Sequence, residues 1–432
     1  MMVKLSCAVT VAVSLAVTSV AAQELSTEEE LKVLLEQIEA LKQRVVELEQ
    51  QVVARQKVQG ETLEARVEQL EEEVQTAQNP PIRIGGAVRA QYVWADYDQP
   101  AKDRGGDFVF DLFRIDFNGE IGDVILSAQY RWFQYMDVVQ HAWVGYNFTE
   151  QWQGQLGVTK VPFGNHPYNA NNYFFSSNFY VGLEDDHDLG AKLLYRGDDW
   201  DFDIAFFKND ELGGANSGAS SKADRYAYDP VGIRLVGEDL YDAPIQAAAE
   251  ANSWALRGAH KWLFDEQRAA EFGASLQWGK MNDGLTNIGE RTAWALHGVY
   301  QHDRWTLMGQ VSEYDYDLDR LNRGIVVGAY AYYDTIPSKA RLYTANVAYQ
   351  LPVSLGPITD LTFYNDFSLM TNKRYYDKDT LMNVLGVAVA AGGLYTYFDL
   401  VIARNQPFIG GSMSGESDDT NTRLNINIGY YF

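Results

Sequence analysis

The sequence predicts an all-β protein: a transmembrane antiparallel β-barrel of either sixteen or eighteen strands, preceded by an N-terminal α-helical coiled coil. An apolar leader, a heptad repeat, and a long region of alternating apolar and polar residues indicate this architecture. The 432 residues are 46% hydrophobic, which excludes a disordered chain. Their net charge of -24 argues against a nucleic-acid partner, because phosphate binding needs a surplus of Lys and Arg.

Residues 1–22 have the pattern of a signal peptide. Lys4 precedes an apolar stretch over 7–20, and small residues at Ala21 and Ala22 permit cleavage before Gln23. The stretch is shorter than the roughly 20 residues that a spanning helix needs. The single cysteine, Cys7, lies in this leader, so we expect the mature protein to have no disulfide, thiol nucleophile or Cys-based zinc site.

Residues 23–78 predict a coiled coil, which we expect to lie in the periplasm. Apolar residues there recur at alternating spacings of three and four, as Leu31, Leu34, Ile38, Leu41, Val45, Leu48 and Val52. Pro80 and Pro81 follow the repeat and end the helix. The mostly β-branched a positions with Leu at d favour a dimer.

Residues 79–432 predict the outer-membrane barrel. Phe113, Ile115 and Phe117 alternate with polar residues, and Leu424 to Phe432 show the same period of two. Short turns such as 119–123 alternate with long polar connections such as 405–420. A soluble β-sandwich could also alternate, but export and aromatic residues at the segment ends favour a barrel, the only sheet that satisfies every backbone group in lipid. The stretch 236–253 is the hardest to assign to a strand.

The barrel sequence resembles the phosphate-selective porin O/P family. The resemblance rests on Phe113-Arg114-Ile115-Asp116-Phe117-Asn118-Gly119, on Lys160-Val161-Pro162-Phe163-Gly164, and on a final strand that ends in Phe432. It implies a sixteen-stranded homotrimeric porin of the Gram-negative outer membrane, embedded in lipid, with a loop folded inward after Lys160. The trimer differs from the dimer that the heptad repeat favours, and the barrel symmetry is the stronger constraint.

Strand parity predicts which side chains line the pore. If Phe113 and Ile115 face lipid, the residues between them face water. The predicted pore-lining residues are Arg114, Asp116, Arg131, His141, Lys160, Lys192, Arg196 and Arg257. They could form a basic ladder for anions, or they could be the ordinary polar residues of a lumen without such a role.

The predicted constriction loop is 165–188, with Asn165, Asn171, Asn172 and Tyr173 as candidate solute contacts. This range contains no Lys or Arg, which argues against phosphate selectivity. Amides and aromatic rings suit neutral solutes such as sugars, although a loop that simply packs on the barrel wall would have a similar sequence.

The acidic run 184–188 could bind a divalent cation. A solvated loop is the more common explanation of such a run, so we predict no metal site and no cofactor.

No Walker loop, zinc-protease motif or nucleophile elbow is present, which favours a protein without enzymatic activity. The sequence therefore predicts a porin for small hydrophilic solutes, either anions or sugars. The alternative is a structural or adhesive outer-membrane protein whose coiled coil tethers the membrane to the periplasm.

Overall fold

A computed structural model describes residues 32, 35–36, 38–47, 50 and 81–432. The chain divides into two compact units, 1–80 and 81–432. In the first unit every described residue is α-helical and exposed, including the heptad positions Ile38, Leu41 and Val45. The rest of the predicted coiled coil and the predicted signal peptide lie outside the described residues. Among the described residues, no helix is both long enough and apolar enough to cross a membrane.

The second unit contains twenty β-strands, a short α-helix and one 3-10 turn. The strands are β1 (Ile82–Ala95), β2 (Asp107–Ile121), β3 (Val124–Trp132), β4 (Asp137–Asn147), β5 (Trp152–Lys160), β6 (His187–Arg196), β7 (Trp200–Asp210), β8 (Asp229–Ile233), β9 (Gln246–Ala247), β10 (Ala249–Asp265), β11 (Arg268–Asn282), β12 (Asn287–His302), β13 (Trp305–Leu318), β14 (Ile325–Ala329), β15 (Tyr332–Ile336), β16 (Lys339–Leu355), β17 (Ile358–Thr371), β18 (Thr380–Ala391), β19 (Leu394–Arg404) and β20 (Asn421–Tyr431). Helix α1 (Gln99–Asp103) begins after Asp98, whose carboxylate accepts a hydrogen bond from the Ala101 N–H. The 3-10 turn is Phe179–Val181.

Sixteen of these strands close into one antiparallel barrel, β1-β2-β3-β4-β5-β6-β7-β10-β11-β12-β13-β16-β17-β18-β19-β20. The last strand returns to the first, with Ala87 opposite Tyr431 and Ala95 opposite Arg423. Closure leaves no unpaired sheet edge, as a lipid environment requires. The predicted antiparallel β-barrel is therefore confirmed, with sixteen strands, and the coiled coil that precedes it in the predicted fold class stays a prediction.

The alternating sequence pattern separates two faces of the barrel wall. Outward side chains such as Leu156 and Leu296 are about 60% exposed, whereas inward ones such as Arg257 are almost completely buried. Short turns join the strands at one end of the barrel, and exposed Trp residues begin the strands that follow three of these turns, at Trp152, Trp200 and Trp305. Aromatic residues at this level are typical of a membrane interface. We call this the turn end, and the opposite end, with long connections, the loop end.

The remaining four strands form a separate small sheet in the order β15-β14-β8-β9. They come from the two connections 211–248 and 319–338. We call this the inner sheet. The stretch 236–253, which the sequence left unassigned, holds β9 of this sheet and the start of barrel strand β10.

The hydrophobic core lies inside the loop-end half of the barrel. The inner sheet contributes Ile325 and Val327, which have no exposed surface, and the inward wall contributes residues such as Tyr314 and Leu342. Apolar residues that face inward are thus covered by the protein's own connections. Open space inside the barrel remains where these connections do not fill it.

Candidate functional site in the barrel interior

The connection 161–186, between β5 and β6, folds into the barrel and reaches the opposite wall. We call it the inward loop. The Asn165 N–H donates to the side-chain oxygen of Gln310 on β13 at 3.0 Å, and the Asn165 amide donates to the Gly309 carbonyl at 3.1 Å. Asn165 is 3% exposed. It therefore fixes the loop to the wall.

Asp366 on β17 is the strongest single anchor of the inward loop. Its carboxylate accepts hydrogen bonds from the backbone N–H groups of Asn171 and Asn172 at 2.7 and 3.0 Å. It also accepts from the side-chain amides of the same two residues at 2.7 and 2.8 Å. Four donors on one buried carboxylate hold the tip of the loop in a single position.

Hydrogen bonds within the inward loop also hold its two halves together. The Glu184 carboxylate accepts from the backbone N–H groups of Asn169 and Ser176 at 2.8 and 3.1 Å, and from the Ser176 hydroxyl at 2.5 Å. Burial raises the pKa of Glu184 despite these hydrogen bonds. Glu184 thereby joins the two halves of the loop.

Two lysines secure the ends of the loop. Lys160 Nζ lies 2.6 Å from an Asp185 carboxylate oxygen and donates to the Pro167 carbonyl at 2.6 Å. Burial opposes ionisation of Asp185, but Lys160 outweighs it and lowers the pKa of that carboxyl. Lys192 Nζ donates to the Lys160 carbonyl at 2.8 Å. Both ammonium groups are therefore engaged by the protein itself.

A cavity of about 650 Å³ lies between the inward loop and the wall formed by β1, β2, β3 and β20. The wall contributes four arginines, Arg89, Arg114, Arg131 and Arg423. Aromatic residues border the cavity, many of them on connections: Phe133, Tyr135, Tyr168, Tyr173, Phe174, Phe175, Phe179, Tyr180, Tyr226, Tyr330, Tyr395, Tyr397, Phe408 and Tyr431. The cavity is thus a slot with guanidinium groups on one side and aromatic rings around it.

The four arginines differ in their charge partners. Arg89 pairs with Asp111 at 2.8 Å, and Arg114 pairs with Asp116 at 2.9 Å. Arg131 and Arg423 have no carboxylate within ion-pair distance among the described residues; their guanidinium carbons lie 4.4 and 5.1 Å from the ring centres of Tyr226 and Phe174. Two of the four positive charges are therefore uncompensated within the cavity.

The structure places the predicted pore-lining residues in three groups. Arg114 and Arg131 are directly opposite each other in the β2–β3 register and line the cavity, with Asp116 paired to Arg114. Lys160, Lys192 and Arg257 bind the inward loop and its flanks; Arg257 donates to the Gly164 carbonyl at 2.8 Å.

The last two candidates lie apart from the cavity lining. Arg196 pairs with Asp203 at 2.7 Å. His141 contacts the Ser127 hydroxyl at 2.8 Å.

Of the four candidate loop residues, Asn171, Asn172 and Tyr173 line the cavity and Asn165 does not. The amides of Asn171 and Asn172 are occupied by Asp366, and the Tyr173 hydroxyl donates to Asp111 at 3.1 Å. The loop therefore offers aromatic surface to a solute more than free amide groups.

Sequence reasoning missed Arg89 and Arg423. Parity could have found Arg423, because Leu424 and Ile426 of the same strand face outward. The aromatic residues Tyr226, Tyr330 and Phe408 carried no such signal, since they reach the cavity from long connections.

The interpretation of 184–188 as a solvated acidic loop is wrong. Glu184, Asp185, Asp186, His187 and Asp188 are each between 3 and 5% exposed. The run lies inside the barrel because it forms the end of the inward loop and the start of β6.

Comparison with known proteins identifies the fold. No protein-family model and no curated protein sequence matches the chain. Among solved structures, the chain is similar to the anion-selective porin from Comamonas acidovorans, with 10% identity and a TM-score of 0.50 over 81% of this chain and 99% of that one. It is also similar to the outer-membrane channel DcaP of Acinetobacter baumannii, with 11% identity and a TM-score of 0.50 over 81% of this chain and 97% of that one. The barrel therefore has the fold of outer-membrane porins, and the resemblance to the O/P family stays a prediction.

Proposed function

We propose that this protein is an outer-membrane channel through which small hydrophilic solutes diffuse, with a preference for anions. The observation that carries the proposal is the cavity beside the inward loop, where Arg131 and Arg423 present positive charge without a carboxylate partner. Uncompensated charge in a narrow lumen with low-dielectric walls attracts the opposite ion and repels its own sign. The two similar solved structures, described as a porin and a channel, are consistent with this role.

Selectivity for phosphate is not part of the proposal. A multiply charged, strongly hydrated oxyanion needs several donors to replace its water. The inward loop contains no Lys or Arg, and some donors of Arg131 and Arg423 are already occupied by protein acceptors. We therefore propose a general preference for small anions, with sugars as solutes that the aromatic surface would also accommodate.

We also propose where the protein lies in the cell and how its subunits assemble. The apolar outer face and the Trp residues at the turn end suit a lipid bilayer. The turn end, where β1 begins and β20 ends, would face the periplasm. Residues 1–22 would be removed on export, residues 23–78 would form a periplasmic coiled coil, and barrels of residues 79–432 would associate as a homotrimer.

Conductance in a planar bilayer tests the proposal. We expect the purified protein to give stepwise currents and, in a KCl gradient, a reversal potential displaced toward the chloride equilibrium potential. Replacing Arg131 and Arg423 by Ala should move that potential toward the potassium side, and adding Arg114→Ala should move it further. Arg268→Ala is the matched control, because this arginine is exposed at a short turn and paired with Asp265. A cation-selective wild type would contradict the proposal.

A structural role is the second candidate. The observation that favours it is the apolar core inside the barrel, which the inner sheet and the inward loop share. A protein that inserts in the bilayer and gives no currents would support a sealed barrel with a tethering function. Catalysis forms no part of either proposal.

A further inference from the structure

Six acidic side chains gather inside the barrel at the loop end of β6, β7 and β10. They are Asp186, Asp188, Asp210, Glu211, Asp229 and Glu250, and each side chain is at most about 5% exposed. We call this group the acidic cluster. It surrounds the end of the inward loop and the first residue of the inner sheet, Asp229.

Two guanidinium groups pair with the acidic cluster. Arg225 lies 2.8 Å from Asp229 and within 3.4 Å of carboxylate oxygens of Asp210 and Glu211. Arg291 pairs with Glu250. With every group ionised, six negative charges and two positive ones leave an excess of four negative charges in a buried site. Burying this excess is costly unless protons or cations neutralise it.

Three members of the cluster form a compact oxygen site. Carboxylate oxygens of Asp186, Asp188 and Asp229, one from each, lie within 4.8 Å of one another. Oxygens that bind one calcium ion at about 2.4 Å are at most twice that distance apart. The three oxygens are therefore close enough to share a single ion.

Unsatisfied atoms point to the same place. Oδ1 of Asp186 and Oδ1 of Asp188 are buried and accept no hydrogen bond from the described residues. Glu184 and Asp185, in the same run, instead have their carboxylates occupied by Ser176 and Lys160. Buried polar atoms are rarely left without a partner. Within 184–188, the carboxylate oxygens that still lack one belong to Asp186 and Asp188.

We propose that Asp186, Asp188 and Asp229 bind a divalent cation that prefers oxygen ligands, such as Ca²⁺. All three ligands are carboxylates, which suit a hard cation, whereas zinc sites usually include His or Cys. The neighbouring His187 is not one of the proposed ligands, because its Nδ1 contacts the Asp185 carbonyl oxygen at 2.9 Å. The ion would tie the end of the inward loop and the start of β6 to the inner sheet. This proposal goes beyond the channel function and does not depend on it.

Terbium luminescence tests the site in the full-length protein, purified in detergent and treated with EDTA. Trp254 and Trp278 line the same small cavity as Asp188, so they can sensitise a bound Tb³⁺ ion. We expect one Tb³⁺ per chain, displaced by Ca²⁺. The double variant Asp186→Asn/Asp188→Asn should bind Tb³⁺ more than about tenfold more weakly. Asp419→Asn, which removes an exposed charge from another loop-end connection, should bind like the wild type.

If the double variant does not fold, a second variant and a second measurement test the same cation site. Asp229→Asn changes the third ligand from a different strand, and it should also weaken Tb³⁺ binding. Ca²⁺ should raise the thermal unfolding midpoint of the EDTA-treated wild type and leave that of the variants unchanged. A wild type at pH 8 that binds neither Tb³⁺ nor Ca²⁺ would overturn the proposal, whatever the conductance measurements give.

Discussion

The arginines of this barrel have different roles because they have different neighbours. Arg257 and Arg291 donate to carbonyl groups of the inward loop at 2.8 and 3.0 Å, and Arg196 is held by Asp203. Arg131 and Arg423 have no carboxylate partner among the described residues, and both lie over aromatic rings. Their hydrogen bonds go to neutral acceptors: the Gln129 side chain for Arg131, and the Phe408 carbonyl and Asn425 side chain for Arg423. Residue type and strand parity predict which arginines face inward. Whether a carboxylate neutralises a given arginine depends on its neighbours in the folded barrel.

Asp334 on β15 gives a prediction about pH. It has no exposed surface, and burial raises its pKa to about 6, although the Met413 N–H donates to its carboxylate at 3.0 Å. A folded-state pKa above the unfolded value of about 4 means that the folded protein binds more protons between those values. The contribution of Asp334 to the free energy of unfolding should therefore be greatest below about pH 4 and should fall as the pH rises through 6.

The substitution Asp334→Asn should remove this pH dependence, because the amide oxygen still accepts from Met413 and carries no charge. At pH 7 we expect the variant to be more stable by up to about 3 kcal/mol, the equivalent of two pKa units. Thermal unfolding in detergent at several pH values between 4 and 8 measures the difference. Equal midpoints for the variant and wild type at pH 7 would show that Asp334 is not destabilised by burial.

Gly182, in the inward loop, gives a steric prediction. Its φ is +70°, and a Cβ atom there would lie 2.4 Å from the Tyr228 carbonyl oxygen. Gly182→Val should therefore displace the loop, at a cost of at least about 1–3 kcal/mol for the backbone strain alone. The unfolding midpoint checks this. Gly356→Val is the matched control, because its φ is +61° and its Cβ would meet nothing within 4 Å. A similar loss in both variants would assign the effect to strain and not to the clash.

At the level of elements, the barrel strands were predictable and the internal elements were not. Alternation identifies β2 or β20 because each strand has one face on the outside of the barrel and one face inside. The inner sheet has no such contrast: β8 and β14 are buried at every residue. Their sequences therefore show no period of two, and the partners of these strands come from a connection about 90 residues away.

Asp366 is the main attachment of the tip of the inward loop, and the release of that tip is a prediction at this scale. Asp366→Ala removes the acceptor of four hydrogen bonds from Asn171 and Asn172. We expect the loop tip to become mobile, so that single-channel currents become larger or noisier while the barrel stays folded. Recordings in planar bilayers check this result.

Asp360→Ala is a control for that measurement, because Asp360 lies near the turn end of the same strand and contacts Gln350 and Thr362 instead of the loop. Currents from Asp366→Ala that match those of the wild type would show that the loop keeps its position without this carboxylate.

For the whole molecule, net charge and pore charge are separate properties. The chain has a net charge of -24, yet the cavity wall carries four arginines. The acidic cluster, with an excess of four negative charges, lies at β6, β7 and β10, away from that wall. Composition therefore argues against a nucleic-acid partner but could not predict the sign of the charge in the lumen, which depends on the strands that closure brings together at β1, β2, β3 and β20.

The lipid-facing band gives the last prediction. Leu296 lies in the middle of β12 and is 60% exposed, whereas Leu321 lies in a loop-end connection and is 94% exposed. If solvent exposure alone decided the effect, an arginine at either site would destabilise the protein less than one in a buried core. In a bilayer, however, Leu296→Arg places a charge in hydrocarbon and should cost about 2–4 kcal/mol, while Leu321→Arg places it in water and should cost almost nothing. Refolding into lipid vesicles, followed by denaturant titration, measures both variants. Equal stabilities would mean that β12 does not face lipid, and the barrel would then need a different environment from the membrane proposed for it.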